Sequence, residues 1–345
     1  MPIVVNSNTT ATTASFNLSR ANDSLRQSLS RLSSGKRIVS PADDAGGLAV
    51  AYKLQSKLKR TEAVRQNIQN GLSYLQVQDG ALSTIGKVLD RMSELRTMAQ
   101  DVTKNTQDVE NYSKEFIELQ SQLSQVHREK FNGVSLFAIS AAPLVQNPLR
   151  PQLQKGSVVN DEGTTVTVFS RTVYTNPSGQ AADGSVSVSV INLQNLFRLQ
   201  GLDTRYTPTF NTNTDMGTAN SVSLPNLGNV SDVNGSNFST HSSIFTSDGF
   251  ISSILFVSVG QFTTAIERLA DARAENGAEQ SRLGMTNELL IQNQTNLEAA
   301  YGRIMDADVA LESTRFARQN VLVQSSAAMV AQANQLTSIA LQILG

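Results

Sequence analysis

The stretch that decides the fold runs from residue 255 to residue 305 and reads LFVSVGQFTTAIERLADARAENGAEQSRLGMTNELLIQNQTNLEAAYGRIM. An apolar side chain returns at every seventh position, and the stretch contains no proline. The row consists of Leu255, Phe262, Leu269, Leu283, Leu290, Leu297 and Ile304, with Asn276 as its polar member. A seven-residue return is typical of a helix that packs against another helix along a narrow seam. The stretch therefore predicts a long helix whose partner lies elsewhere in the chain.

The predicted partner lies between Ser40 and Val102. Ser40, Pro41 and the following acids Asp43 and Asp44 predict a helix start, with Ser40 as the N-cap and Pro41 in the first turn. Two apolar rows follow at seven-residue spacing: Leu54, Thr61, Ile68, Leu75, Leu82 and Leu89, and beside them Val64, Ile85, Met92 and Ala99. A helix of this length would extend about 80 Å, which predicts a rod.

The two chain ends carry sparser apolar rows. The N-terminal row ends at Gly35, where a left-handed cap is expected, and the C-terminal row follows a break at Asp306 and Asp308. Ser, Thr, Asn and Gln dilute both rows, and a lone pair of such helices is marginal in water. We therefore expect the terminal rows to be buried between copies of the chain. The predicted self-assembly residues are Leu18, Leu25, Leu29, Leu32, Leu322, Met329, Leu336 and Ile343.

The segment between the two helical regions differs in composition. A further amphipathic helix, with Tyr112, Phe116, Leu119, Leu123 and Val126, precedes a turn at residues 131–134. Beyond it, prolines mark a boundary, Ser, Thr, Asn and Gly dominate, and valines alternate with polar residues at 166–168 and 185–191. Alternation of period two indicates half-buried strands, so this segment predicts a β-rich domain with a short helix near residues 193–199.

The predicted fold class is mainly α: a long antiparallel coiled-coil rod formed by both chain ends, with an inserted β-rich central domain. The predicted domains are 1–43, an N-terminal helix; 44–140, the first part of a helical rod; 141–250, a β-rich domain; 251–305, the second part of the rod; and 306–345, a C-terminal helix.

The composition narrows the function classes. Lys and Arg number 28 against 29 Asp and Glu, with no basic tract, which argues against nucleic acid or an anionic membrane as the main partner. The absence of Cys excludes disulfides, thiol catalysis and thiolate zinc sites. The sequence contains no apolar run of about eighteen residues, so no membrane span is predicted. The first fifteen residues lack a basic region followed by an apolar run, so no cleavable secretory signal is predicted.

No constellation for catalysis or metal binding emerges from the sequence. His127 and His241 are far apart, and each is expected to be an ordinary surface residue. Asp43 and Asp44 are better explained as helix-start acids than as a paired-carboxylate site. The zinc-protease pattern H-E-x-x-H is absent. We therefore expect no enzyme activity, cofactor or metal, although an adhesive role of the central domain stays open.

Several motifs at the two chain ends resemble bacterial flagellin. Residues 32–38, LSSGKRI, and 43–46, DDAG, are similar to the family's N-terminal signature, and residues 303–308, RIMDAD, and 331–335, AQANQ, to its C-terminal one. The turn at 131–133, FNG, resembles the end of the family's N-terminal helical region. The resemblance covers about residues 1–140 and 255–345. One departure is that Gly46-Gly47 replaces the usual Ala-Gly pair, which is expected to be tolerated.

The resemblance implies a subunit that polymerises into the flagellar filament for motility, outside the cell. The main partner that the resemblance implies is other copies of the same chain. Further implied partners are the flagellar type III export apparatus, cap or hook-associated proteins and an export chaperone. A hook-filament junction protein, which resembles flagellin at both ends, is the alternative. In some flagellins an animal Toll-like receptor binds an arginine, a leucine and a glutamate of the rod helices. The resemblance implies that Arg91 and Leu95 match the first two, and the position of the glutamate falls on Gln122. The Ser/Thr-rich centre is expected to be a solvated surface, and O-linked glycosylation of it is a secondary hypothesis.

Overall fold

The computed structural model describes residues 8–138, 154–159, 165–180, 184–200, 221–223 and 250–344. Most of these residues are helical, and five of the helices exceed twenty residues. The helices are α1 (Thr9–Ser34), α2 (Ala45–Ala99), α3 (Thr106–His127), α4 (Leu193–Leu196), α5 (Val259–Met305) and α6 (Val309–Leu344). A single 3₁₀ turn, Ile254–Phe256, precedes α5.

The strands of the described residues form three small sheets. They are β1 (Lys130–Phe131), β2 (Val134–Ser135), β3 (Phe137–Ala138), β4 (Gln154–Val159), β5 (Thr165–Tyr174), β6 (Ser185–Asn192), β7 (Arg198–Gln200) and β8 (Ser221–Ser223). Two are antiparallel pairs, β1-β2 and β7-β8, and the third sheet has the order β3-β6-β5-β4. In the third sheet β3 runs parallel to β6, while β4 and β6 run antiparallel to β5. The predicted boundary prolines and His241 lie outside the described residues.

The described chain groups into two compact units. Unit 1 contains residues 1–62 and 291–345, and unit 2 contains residues 63–290. The predicted fold class is confirmed: the chain is mainly helical, helices from the two ends pack antiparallel, and a small β region lies between them. The bounds of the five domains drawn from the sequence stay a prediction.

In unit 2, α2 and α5 form the predicted antiparallel pair. Asn276 donates its side-chain amide to the carbonyl of Leu75 at 3.3 Å, and Arg273 forms an ion pair with Asp79 at 2.9 Å. Residue numbers rise along α2 as they fall along α5, so the two helices run in opposite directions. The central positions of both predicted rows are buried: Ile68, Leu75, Leu82, Leu89, Phe262, Leu269, Leu283 and Leu290. These side chains belong to one hydrophobic cluster, which is the core of unit 2.

The predicted end of α1 is confirmed, whereas the predicted start of α2 is wrong. Gly35 follows α1 with φ of 66°, the left-handed cap expected there. Helix α2 begins at Ala45 rather than near Pro41. Asp44 accepts a hydrogen bond from the backbone N–H of Gly47 at 2.8 Å, as an N-cap does three residues ahead. Asp43 instead closes the preceding turn, where hydrogen bonds from the N–H groups of Ser40 and Val39 lower its pKa.

The two glycines of the first turn of α2 are expected to respond differently to alanine. A Cβ at Gly47 would lie 2.3 Å from Oδ2 of the capping Asp44, whereas a Cβ at Gly46 meets only an ordinary contact at 3.7 Å. Gly46→Ala should stabilise the start of α2 by up to about 1 kcal/mol. Gly47→Ala displaces the cap and should be at least about 1 kcal/mol less stable than Gly46→Ala. Native-state hydrogen exchange at residues 48–62 measures both, and equal effects would contradict the assigned cap.

Helix α3 buries a face that apolar spacing alone does not predict. Its buried residues are Ser113, Phe116, Gln120, Leu123, Val126 and His127. The amide of Gln120 exchanges two hydrogen bonds with the backbone of Ile251, at 3.0 and 2.9 Å, and thereby satisfies a buried peptide group. His127 was expected on the surface, but only 5% of it is exposed. That prediction is wrong because the buried face of α3 is rotated to include polar residues, namely Ser113, Gln120 and His127.

His127 predicts a loss of stability in mild acid. Burial, with a smaller contribution from Arg128, lowers its pKa, and its Nε2 has no hydrogen-bond partner among the described residues. The stabilisation by the neutral ring is therefore complete above the unfolded pKa near 6.5 and falls as the pH drops toward the lower folded pKa. The loss is at most about 1.4 kcal/mol per pH unit. The free energy of unfolding in urea, measured between pH 7.5 and 5, should depend less on pH in His127→Gln. The control His241→Gln should keep the pH dependence of the unsubstituted protein. An unchanged pH dependence in His127→Gln would contradict this prediction.

Candidate functional site

The candidate site is the pair formed by the two terminal helices in unit 1. The side-chain amide of Asn8, which caps α1, donates to the carbonyl of Ala333 on α6 at 2.9 Å. At the other end of the pair, the N–H of Ala307 donates to the carbonyl of Gly35 at 2.9 Å. The early residues of α1 thus lie beside the late residues of α6, and the two helices run antiparallel along the whole of α1.

The fully buried side chains in the seam between α1 and α6 are mostly small, and half-buried leucines of α1 lie between them. Ala21 and Ser28 are buried on α1, and Ala333 is buried on α6. Glu312, near the start of α6, is also buried and pairs with Arg315 at 3.3 Å. Small side chains bury little apolar area, at about 25 cal/mol for each Å². The pair therefore receives less stabilisation from its own seam than α2 and α5 receive from theirs.

Large apolar side chains lie on the outer faces of the same pair. We call them the terminal apolar surface. Each is between 45% and 63% exposed, in contrast to the buried rows of unit 2. The surface consists of Phe16 and Leu29 on α1 and of Val309, Leu311, Val321, Leu322 and Met329 on α6. Clusters of this kind mark contact sites, whereas single exposed apolar residues need no explanation.

The distal half of the pair also lacks charge. Residues 1–19 and residues 319–345 contain no Asp, Glu, Lys or Arg. Charged side chains are depleted at the cores of protein interfaces because their desolvation is unfavourable. An apolar and uncharged surface can bury area against a protein without that cost.

The predicted self-assembly residues divide between the two faces. Leu18, Leu25 and Leu32 are half-buried, and they share a face with Ala21 and Ser28, toward α6 of the same chain. Leu29, Leu322 and Met329 are 54%, 45% and 63% exposed, on the outer faces. Leu336 and Ile343 lie on α6, but their side chains are outside the described part of the structure.

A junction at the base of the pair ties its two helices to the chain that follows. The side chain of Arg37 donates from Nε and Nη2 to the carbonyl of Ile304, at 3.1 and 2.9 Å. Lys36 and Asp306 form an isolated backbone bridge, and Asp308 caps α6. Ile38, Ala51 and Met305 form a small hydrophobic cluster beside it. The predicted break at Asp306 and Asp308 thus separates α5 from α6, and the LSSGKRI and RIMDAD motifs meet here.

The residues predicted to contact an immune receptor lie in unit 2. Arg91 is accessible and pairs with Glu115 at 2.7 Å and with Glu94 at 2.8 Å. Leu95 is 0% exposed and belongs to the core of the unit, so it presents no surface to a partner in this conformation. Gln122 is exposed. Two glutamates, Glu94 and Glu115, thus lie beside Arg91, and the contact with the receptor stays a prediction.

The fold and the site define a class of protein: a mainly helical subunit whose paired chain ends leave an apolar, uncharged surface in solvent, as proteins that self-assemble do. Two family models match the chain, that of the bacterial flagellin N-terminal helical region at residues 5–142 and that of its C-terminal helical region at residues 259–344. The chain belongs to the bacterial flagellin family. Its function is that of a structural subunit of the flagellar filament, which lies outside the cell.

Full-length relatives agree with this assignment. The chain is 28% identical to polar flagellin F of Vibrio parahaemolyticus and 28% identical to the flagellin of Bacillus subtilis, with coverage of both chains at 99% or more. Among solved structures, the crystal structure of Bacillus cereus flagellin aligns over 68% of this chain and 94% of that chain, at 20% identity and a TM-score of 0.34. A putative flagellar hook-associated protein of Vibrio parahaemolyticus aligns over 76% and 100%, at 14% identity and a TM-score of 0.48. Within the described helices, no segment is long and apolar enough to cross a membrane.

Proposed function

We propose that this subunit enters the filament through the terminal apolar surface of the α1–α6 pair. The supporting observation is that large apolar side chains of this pair stay exposed, while the side chains fully buried in its seam are mostly small. Burying one such side chain against a neighbouring copy contributes roughly 1.5 to 3 kcal/mol. Contacts between different patches on successive copies do not close into a ring and so generate an open helical polymer. Leu336 and Ile343 continue the row of Leu322 and Met329 at seven-residue spacing and belong to the same proposal.

The remaining partners follow from membership of the family. We propose export by the flagellar type III apparatus, with an export chaperone covering the terminal apolar surface before assembly. Cap or hook-associated proteins would contact the same surface at the filament ends. The work of the chain is mechanical, and we propose no enzymatic activity. O-linked glycans on the Ser/Thr-rich centre remain a secondary proposal, which intact-mass measurement of native filaments tests.

Recognition by the Toll-like receptor is proposed through Arg91 rather than through Leu95. The side chain of Arg91 is 42% exposed and lies between Glu94 and Glu115, so the three charges form one accessible patch. Arg91→Ala should weaken receptor signalling. Leu95→Ala should affect signalling mainly by destabilising the core, because the buried leucine has no exposed surface that the receptor could contact.

Seeded growth tests the proposed function directly. Purified protein is mixed with short filament fragments and followed by electron microscopy. A filament subunit should extend the fragments in proportion to the protein supplied, whereas a hook-filament junction protein should bind at the ends and stop. Failure to extend seeds at any concentration would overturn the proposed function.

A further inference from the structure

Among the described residues, strand β6 has one edge that is paired only at its end. Its first edge pairs with β5 from Tyr174–Ser185 to Phe169–Val190. On its second edge β3 pairs with Ile191 and Asn192. Ser189 lies just before this short pairing, and no described strand pairs with its outward N–H and carbonyl groups. Unpaired strand edges in proteins are normally covered, charged or paired with another chain.

Side chains from α2 and α5 form hydrogen bonds with this edge of β6, as a neighbouring strand would. The backbone N–H of Ser189 donates to both carboxylate oxygens of Glu279, at 2.8 and 3.0 Å. The carbonyl of Ser189 accepts a hydrogen bond from Nε2 of Gln78 at 3.3 Å. Four residues earlier on the strand, the carbonyl of Ser185 accepts from Arg282 at 3.4 Å. The carboxylate of Glu279 thus accepts from the backbone N–H of Ser189, and the amide of Gln78 donates to the carbonyl of the same residue.

The Gln78 side chain is held rigidly for this role. It is 0% exposed, and its Nε2 also donates to the carbonyl of Leu136 at 2.9 Å, in the segment leading into β3. Its Oε1 accepts from Asn276 at 2.8 Å, and Asn276 is itself 2% exposed. A buried amide with both of its ends hydrogen-bonded fixes the elements it joins, because losing one partner leaves a buried polar group unsatisfied.

We propose that Glu279 and Gln78 form a side-chain cap on the free edge of β6 and fix the inserted sheet in one position on the α2–α5 pair. The inner face of the strand supports this, since Val186 and Val188 are buried in the same cluster as the two helices. Burial raises the pKa of Glu279, as expected for a carboxylate enclosed between a helix and a strand. The cap gives Asn276, the polar interruption of the α5 row, a specific role: it orients Gln78. This inference does not depend on filament assembly and is tested on the monomer.

Amide hydrogen exchange of the full-length monomer tests the cap. Glu279→Ala should accelerate exchange at Ser189 by about tenfold or more, while core amides of α2 and α5 such as Leu82 and Leu283 change less than about twofold. Glu279→Gln, which keeps an acceptor oxygen, should restore most of the protection. The matched control is Glu275→Ala, one helical turn away, because Glu275 accepts from the hydroxyl of Ser189 at 2.9 Å and not from its N–H.

Three outcomes would overturn the inference. In the first, Ser189 in Glu279→Ala exchanges as slowly as in the unsubstituted protein. In the second, all core amides accelerate equally, which is the result of general destabilisation. In the third, Glu275→Ala accelerates Ser189 as much as Glu279→Ala does.

Discussion

Replacing both Leu322 and Met329 with aspartate should abolish filament growth and leave a folded monomer. Both side chains are exposed in the single chain, at 45% and 63%, so the monomer tolerates charge there. In the filament each carboxylate would be buried without a partner, at a cost of several kcal/mol. Every 1.4 kcal/mol is about tenfold in affinity, so the two together should raise the concentration needed for growth by more than about a hundredfold.

The matched control exchanges the same two residues for apolar ones, as Leu322→Met with Met329→Leu. This variant should grow filaments at close to the normal concentration, because volume-conserving apolar changes usually cost less than about 1.5 kcal/mol. Circular dichroism verifies that both variants keep their helices, and sedimentation measures the polymer. A double aspartate variant that polymerises normally would remove the terminal apolar surface from the assembly mechanism.

Replacing Phe262 with alanine should destabilise unit 2 by about 3 to 5 kcal/mol. Phe262 is 0% exposed, and its ring packs edge-to-face on Phe116 of α3, with the ring centres 6.2 Å apart. The substitution removes the aromatic contact between α3 and α5 and leaves a cavity where the first turn of α5 meets the core. Urea denaturation followed by circular dichroism measures the change in unfolding free energy.

Met285→Ala on the same helix is the control for Phe262→Ala. Met285 is 68% exposed, so its truncation should change the free energy of unfolding by no more than about 0.5 kcal/mol. If Phe262→Ala were as mild as Met285→Ala, the α3–α5 contact would not be part of the stabilising core.

The heptad rows predicted the helical architecture because burial along a helix repeats almost every seven residues. The rows through Leu75 and Leu283 are buried as expected, and the break at Asp306 separates α5 from α6. The seven-residue spacing also identifies buried polar residues, which a count of apolar residues alone omits. Gln78 and Arg96 fall on the two α2 rows as polar members, and both are buried.

What the sequence did not reveal depends on contacts with the backbone of distant segments. Gln120 is buried because it pairs with the peptide group of Ile251, and Gln78 because it meets Leu136 and Ser189. Residue type alone places such amides on a surface. His127 was misplaced because it lies on the buried face of α3, which the apolar spacing did not locate.

The terminal pair was predicted in part. The apolar rows at both ends were recognised, but the spacing alone could not separate residues that face α6 of the same chain, such as Leu18 and Leu25, from residues that face solvent, such as Leu322 and Met329. That separation needs the register of α1 on α6, which the contacts of Asn8 and Gly35 supply.

Cysteine reactivity at position 329 tests the central claim most directly. The chain contains no cysteine, so Met329→Cys introduces one thiol, and Ser178→Cys places a control thiol on the exposed turn between β5 and β6. Burial between subunits predicts that a maleimide reacts with the thiol at position 329 at least about tenfold more slowly in filaments than in monomers, while the control thiol reacts at similar rates in both. Equal rates at position 329 in monomer and filament would contradict assembly through the terminal apolar surface.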